Sequence, residues 1–388
     1  MRVLRAAIGW LLIVSAPTVM LYPLWSNPVS AGEDDVMWFY PTRKLVGRAL
    51  REGRWPVSTA SEAGGAALMA DPQSAVMYPA TWLFAAMGAK TAYSLSIFTA
   101  FSLAGAGMYV YLRRLRLLRP AAVFGAVAFM FSGFMVGHRV HLSLIHTAAF
   151  LPWGLWCVED VSRRPWRAFA CMTAVAALAI TSGHWPTLIH TGMIWTVYLL
   201  LRARPLGRSI AAAGAALALA VAVAAPQILA TATVMASATR QHIGYATAGE
   251  NSFFPAAGIL ALFPMLMGSR TPNFYPQSWW GPWHLCEMLG YVGLITLVLA
   301  GAGVWRMYPK SRPGSIVEPG DNRIVRLWTW IAAGAGVWML GYYLPTYRLI
   351  YMLPILGVVR CPARMVVAVD MALATLAAVS IHAIAGGG

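Results

Sequence analysis

Charge is what this sequence has least of. Only 11% of its 388 residues are charged and only 13 are acidic, against 59% hydrophobic residues and a mean hydropathy of +0.63. So little charge cannot clothe a water-soluble domain of this size, and soluble classes are set aside. Cysteine is also scarce: there are four, with no C-x-x-C and no His-x3-His spacing, so the sequence carries no zinc pattern. Cys286 and Cys361 fall on one predicted side; a disulfide between them stays open, since spacing alone does not pair them, and two free thiols is the plainer reading. There is no internal repeat, and the Ala-rich stretch after residue 208 is read as a close-packing helix.

What the chain has instead is long apolar runs. A helix needs about 20 apolar residues to cross a hydrocarbon core of ~30 Å. Ten candidates can be laid out, at 5–25, 89–112, 120–137, 142–158, 166–182, 184–201, 209–232, 287–305, 326–344 and 363–385. The expectation is an all-α polytopic membrane protein, a single domain over 1–388, with long connections at 26–88 and 235–286. The first run, after Arg2 and Arg5, is read as a membrane helix because "SAPTVMLYPLWS" lacks a clean cleavage site. The net charge of +16 would suggest nucleic acid in a soluble protein, but here its distribution decides. With a cytoplasmic N-terminus, 17 of the 29 Lys and Arg fall on the inner connections. The positive-inside rule then puts both long loops outside, and no nucleic-acid partner is expected.

The acids are distributed in the opposite sense. Glu33, Asp34, Asp35, Glu52, Glu62 and Asp71 are in the first long loop, Glu250 and Glu287 in or beside the second, and Asp370 about two turns into the last helix. Any chemistry is therefore expected at the outer face. The acids in "GEDDVMWFYPTRKLVGRALREGRWP" (32–56) precede a segment with Trp38, Leu45, Val46, Ala49 and Leu50 at helical spacing and Arg43, Lys44, Arg48 and Arg51 on its other faces. That pattern predicts an interfacial helix whose cations meet lipid headgroups or a bound phosphate; the plain alternative is a surface helix with snorkelling arginines. Carboxylates beside such cations can act as a base or hold a cation.

The stretch "GEDDVMWFYP", followed by "LREGRWPVSTASEAGGAALMADPQSAVMYPATWLF" (50–84), resembles the first outer loop of YfhO-like bacterial membrane proteins, which are grouped with the GT-C-type glycosyltransferases. The same family is resembled by "FMFSGFMVGHRVHLSLIHTAAFLPW" (129–153), "SGHWPTLIH" (182–190), "WWGPWHLCEMLGYVGLITLVLAG" (279–301) and "LPTYRLIYMLPILGVVRCPARMVV" (344–367). Two departures stand out: "WPVSTASEAGG" replaces a Pro-Leu-Trp-Asn-Pro pattern, and the chain stops after "AIAGGG" where many relatives continue.

The resemblance implies a GT-C-like architecture in a bacterial inner membrane, and an inverting transferase with its active site at the outer face. The sugar would move from a polyprenyl-phosphate-linked donor to a cell-envelope polysaccharide, lipid or protein acceptor, with membrane lipids as surroundings. Asp34 matches the family's acid by standing seven residues before Pro41, and is expected to be the base. Asp35 is expected to point elsewhere if the backbone is extended there, as a cation ligand or a solvated neighbour. Arg43, Lys44, Asp71, His138, Arg139 and His184 are expected to line the substrate cavity, with headgroup-level snorkelling as the alternative for His138, Arg139 and His184. Arg360 and Arg364 of "RCPAR" are candidates for the donor phosphate. Glu287 is either a second acid of the site or a helix-end charge, and Asp370 is read as a packing group. A divalent cation, Mg or Mn, is compatible with these acids but nothing requires one. The rival reading is a transporter or flippase for a lipid-linked anion, which calls for ionisable groups at midplane in symmetric halves. A third is a non-catalytic scaffold of the same fold.

Overall fold

A computed structural model describes residues 2–27, 34–60, 65–236, 243–269, 278–307, 319–354 and 356–386. Glu33, Glu62, parts of both predicted outer loops and most of the 309–323 linker lie outside the described residues. The described residues are helical, with isolated bridges at Thr59–Ala66 and Ser269–Ser278 and no named strand.

Among the described residues, five helices are long and apolar enough to cross a membrane: Ala89–Arg114, Arg119–Gly137, Leu206–Val223, Asn322–Tyr343 and Pro362–Gly386. The chain is a multi-pass membrane protein. Ten unbroken spans are not what the described residues show, and the reasons are local. The predicted 142–158 run divides at Phe150 into Leu142–Ala149 and Leu151–Val161. The predicted 209–232 run divides at Ala224 into Leu206–Val223 and Ala225–Met235. In each, a proline (Pro152, Pro226) takes the second position of the new helix, where a missing N–H leaves no bond unmade, whereas inside a continuous helix it would clash with the carbonyl four residues back.

The chain forms two compact units. The first is Met1–Val14, Ala104–Gly137 and Ile243–Gly388; the second is Ser15–Leu103 and His138–His242. In the first, the last helix, Val366–Gly386, is the hub, packing on Leu294–Met307, Pro319–Leu340 and Arg119–Met130. Its Asp370 is buried and accepts from the Phe134 N–H at 3.3 Å, where the Arg119–Met130 helix has ended and Gly133 N–H turns aside to the Tyr291 carbonyl at 2.6 Å. The carboxylate thus meets a backbone donor that a helix break would otherwise leave unpaired in an apolar surround. That bond is to backbone, not to Arg364.

In the second unit, six helices organise the site: α1 (Tyr40–Arg51), α2 (Leu142–Ala149), α3 (Leu151–Val161), α4 (Pro165–Thr181), α5 (Trp185–Arg202) and α6 (Leu206–Val223). α4 packs on α3 and α6, and α5 on α3 and α2. The loop after α1 is clamped to the α4–α5 corner at Gly183, whose φ of +96° and close approach to the Pro72 carbonyl leave no room for a Cβ.

Candidate active site

The acids of the opening motif sit in helical, not extended, backbone. Asp34 has φ −66° and ψ −32°, and Asp35–Phe39 form a π-turn leading into α1. Successive helical residues point in different directions about the axis, so the two acids separate. The Asp34 side chain is 58% exposed, while Asp35 is 2% exposed. The expected divergence is present, but it arises from helical rotation rather than strand alternation.

Asp35 accepts a hydrogen bond from the Tyr93 hydroxyl. Burial pushes its carboxyl up from 3.8 to about 7, helped by repulsion from Asp34 and opposed by the Tyr93 bond and the Arg139 charge. Asp34 meets His141, whose Nε2 lies 2.9 Å from Asp34 Oδ2. His141 stands at the N-cap of α2, its ring 5.3 Å from that of His138 and edge-on to Phe39 at 6.5 Å. His138 is fully buried and Arg139 half-buried. Asp34, Asp35, His138 and Arg139 are brought together, and His141 and Tyr93 join them. His141 shares the "HRVH" run with His138 and reads from the sequence as another histidine near the outer boundary; Tyr93, on another helix, carries no signal.

Arg43 corrects the picture of α1. Its expected place was on a cationic face toward headgroups; it is instead fully buried beside Val46, Gly47 and Ala49, while Lys44, Arg48 and Arg51 are exposed. The expected apolar residue Trp38 is exposed. The Arg43 guanidinium donates to the Ser74 carbonyl, to Thr81 Oγ1 at 2.6 Å and to Ser143 Oγ at 2.9 Å. Burial pulls it down to about 10, against the through-space pull of Asp71, so it stays cationic at neutral pH. Asp71 caps the Pro72–Ser74 turn, accepting from Gln73 N–H at 3.1 Å. Arg43 thereby ties α1 to the loop and to α2. His184 is the N-cap of α5: its Nδ1 accepts from Thr187 N–H at 3.2 Å and its own N–H donates to Thr147 Oγ1 at 3.4 Å.

The remaining candidates belong to the first unit, and each has a carboxylate or guanidinium of its own. Arg364 grips Glu287 along one edge, Nε to Oε1 at 3.0 Å and to Oε2 at 3.1 Å, with Nη2 to Oε1 at 2.6 Å. Both side chains are largely buried, at 14% and 4% exposure. Arg360 pairs with Glu250 nearer the surface. Between the two arginines Cys361 takes φ +58°, facing Asn251 at φ +54°, and Asn251 Nδ2 approaches Cys361 Sγ at 3.5 Å. All four cysteines are free thiols, which closes the Cys286–Cys361 alternative that the sequence left open.

Comparison with protein-family models finds none that matches, and no curated protein matches the chain. The resemblance to YfhO-like proteins therefore rests on the motifs quoted above. Among solved structures, the crystal structure of ArnT from Cupriavidus metallidurans bound to undecaprenyl phosphate is similar at 14% identity, covering 97% of this chain and 78% of that one, with a TM-score of 0.45. A likeness that faint carries no functional argument.

Proposed function

We propose that the chain is a membrane glycosyltransferase that moves a sugar from a polyprenyl-phosphate donor to a cell-envelope acceptor at the outer face, with Asp34 as the base. The observation that carries this reading is the division of labour between adjacent acids. Asp34 is exposed and oriented by His141, while Asp35 is buried on Tyr93. An exposed, oriented carboxylate can reach an incoming hydroxyl; a buried one held by a phenol cannot.

In the proposed step, the acceptor O–H gives its proton to Asp34 as its oxygen attacks the anomeric carbon from the face opposite the phosphate. The anomeric C–O bond breaks, its electron pair leaves with the lipid phosphate, and the configuration inverts. Arg139 and the exposed Lys44 are the proposed cationic partners of that phosphate. Arg360 and Arg364 are less suited, because a phosphate would first have to displace Glu250 or Glu287.

The test is transfer by purified protein in lipid from a panel of radiolabelled polyprenyl-phosphate sugars to envelope extract. Losing a general base lowers the rate by about 10²–10⁴, so Asp34→Asn should lose nearly all transfer while expression and donor binding persist. Asp35→Asn should lose less. Wild-type transfer by Asp34→Asn removes Asp34 from the role.

A further inference from the structure

At the end of the second unit marked by the α3–α4 and α5–α6 turns, two arginine-bearing connections lie side by side. Ser162, Arg163 and Arg164 join α3 to α4; Ala203, Arg204 and Pro205 join α5 to α6, with Arg208 in the first turn of α6. The connections touch, since Arg204 N–H donates to Ser162 Oγ at 3.4 Å. Two acids are at this end, and each is engaged by a different arginine. Glu159 accepts from Arg202 at 2.6 Å and from the Tyr198 hydroxyl at 2.7 Å, and Asp160 lies 3.6 Å from Arg167. Arg163, Arg164, Arg204 and Arg208 are exposed and have no carboxylate partner among the described residues. Trp166, 84% exposed, stands in the same turn.

An apolar cleft begins one turn away. Its volume is about 520 Å³, and it runs between α3, α4, α5 and α6. Val158 and Leu199 line it beside Glu159 and Arg202, Met172 and Gly192 line its length, and Leu217 and Val221 form part of its α6 wall. Nothing lining it is charged. In a bilayer such a cleft is filled by hydrocarbon.

We propose that the α3–α4 and α5–α6 turns together with this cleft form a binding site for one anionic glycerophospholipid, its phosphate on Arg163, Arg164, Arg204 and Arg208 and one acyl chain between α4, α5 and α6. Guanidinium groups suit a phosphate in both charge and geometry, and an exposed Trp suits the headgroup level. From His141 at the start of α2 to Val161 at the end of α3 is up to about 30 Å of helix, at 1.5 Å per residue. None of the arginines or cleft residues takes part in the proposed reaction, and the site does not rest on it.

The test uses the full chain in phosphatidylcholine nanodiscs containing a minor fraction of phosphatidylglycerol, with retained lipid counted by native mass spectrometry. The wild type should retain one phosphatidylglycerol per chain, enriched over phosphatidylcholine. Each guanidinium near a charged headgroup is worth roughly fivefold at low salt, so the R163Q/R164Q/R204Q/R208Q variant should fall to the bulk ratio. A Cβ at Gly192 would meet no atom within 4 Å, so Gly192→Leu has room to put a side chain into the cleft. It should lower phosphatidylglycerol retention with every arginine in place. Equal retention of the two lipids by the wild type overturns the proposal. So does enrichment that survives the four glutamines, or enrichment that Gly192→Leu leaves unchanged.

Discussion

In the second unit Arg43 is wholly buried and its guanidinium meets a carbonyl and two hydroxyls; in the first, Arg364 is nearly as buried and meets both oxygens of Glu287. The difference is one of fallback. If Arg364 is lost, a buried carboxylate stays behind without its counter-charge, and an unpaired buried charge is among the costliest defects a fold can carry. If Arg43 is lost, its hydrogen-bond partners stay behind neutral, one carbonyl and two hydroxyls, of which the Ser143 hydroxyl already donates to the Gln73 carbonyl at 3.0 Å, and only the through-space attraction of Asp71 goes with it. At these two points the first unit holds an ion pair, whereas the second holds a cation whose hydrogen-bond partners are uncharged.

The comparison is tested most severely by Arg364→Ala, which should destabilise the first unit by about 3–5 kcal/mol in a detergent melt. The Glu287→Gln/Arg364→Gln double variant should recover most of that loss, since no lone charge remains; a double variant as unstable as the single would show that charge pairing is not the cause.

Asp35 offers the next largest effect, with the opposite dependence on charge. Its folded value of about 7 stands above the usual 3.8, so the native state holds a proton that the unfolded state has released. Stability from this group is therefore intact below about pH 4 and is lost as pH rises toward 7, by up to about 4 kcal/mol. Asp35→Asn should flatten that slope in a pH series of melting temperatures, and an unaltered slope would place the titration elsewhere.

Arg43→Lys comes third. A single ammonium cannot reproduce the fork to three acceptors, and a loss of about 1–3 kcal/mol is expected, accompanied by faster proteolysis of the 65–88 segment. Smallest is Arg360→Gln: its pair with Glu250 is about one-third exposed on each side, which limits it to about 0.2–1 kcal/mol.

The contrast between acids and arginines also marks how far the sequence could be read. The all-helical membrane class follows from hydropathy alone, but hydropathy runs straight through Phe150 and Ala224, where the helices break, because Pro152 and Pro226 are apolar. The motif brought Asp34, Asp35, His138 and Arg139 into one neighbourhood. It could not tell which acid is exposed, since that depends on a π-turn with no compositional mark. Charge is usually solvated, so the sequence places Arg43 on an outer face; its burial is explained by Ser74, Thr81 and Ser143, 31, 38 and 100 residues away. The pairing of Arg360 and Arg364 with Glu250 and Glu287, 110 and 77 residues away, likewise has no mark in the sequence.

The π-turn at Asp35–Phe39 has a consequence for how this site can change over generations. A π-turn accommodates one residue more than an α-turn. Because the turn absorbs its extra residue, removing one, Met37 for instance, which is 75% exposed, would let the segment close as ordinary α-helix with the residues before it still in phase. Closing the turn with none removed would instead rotate everything before it by about 100° about the axis, taking Asp35 away from Tyr93 and Asp34 away from His141. Which of two chemically identical neighbours is presented to the outside is set here by one surplus residue in a short stretch of backbone.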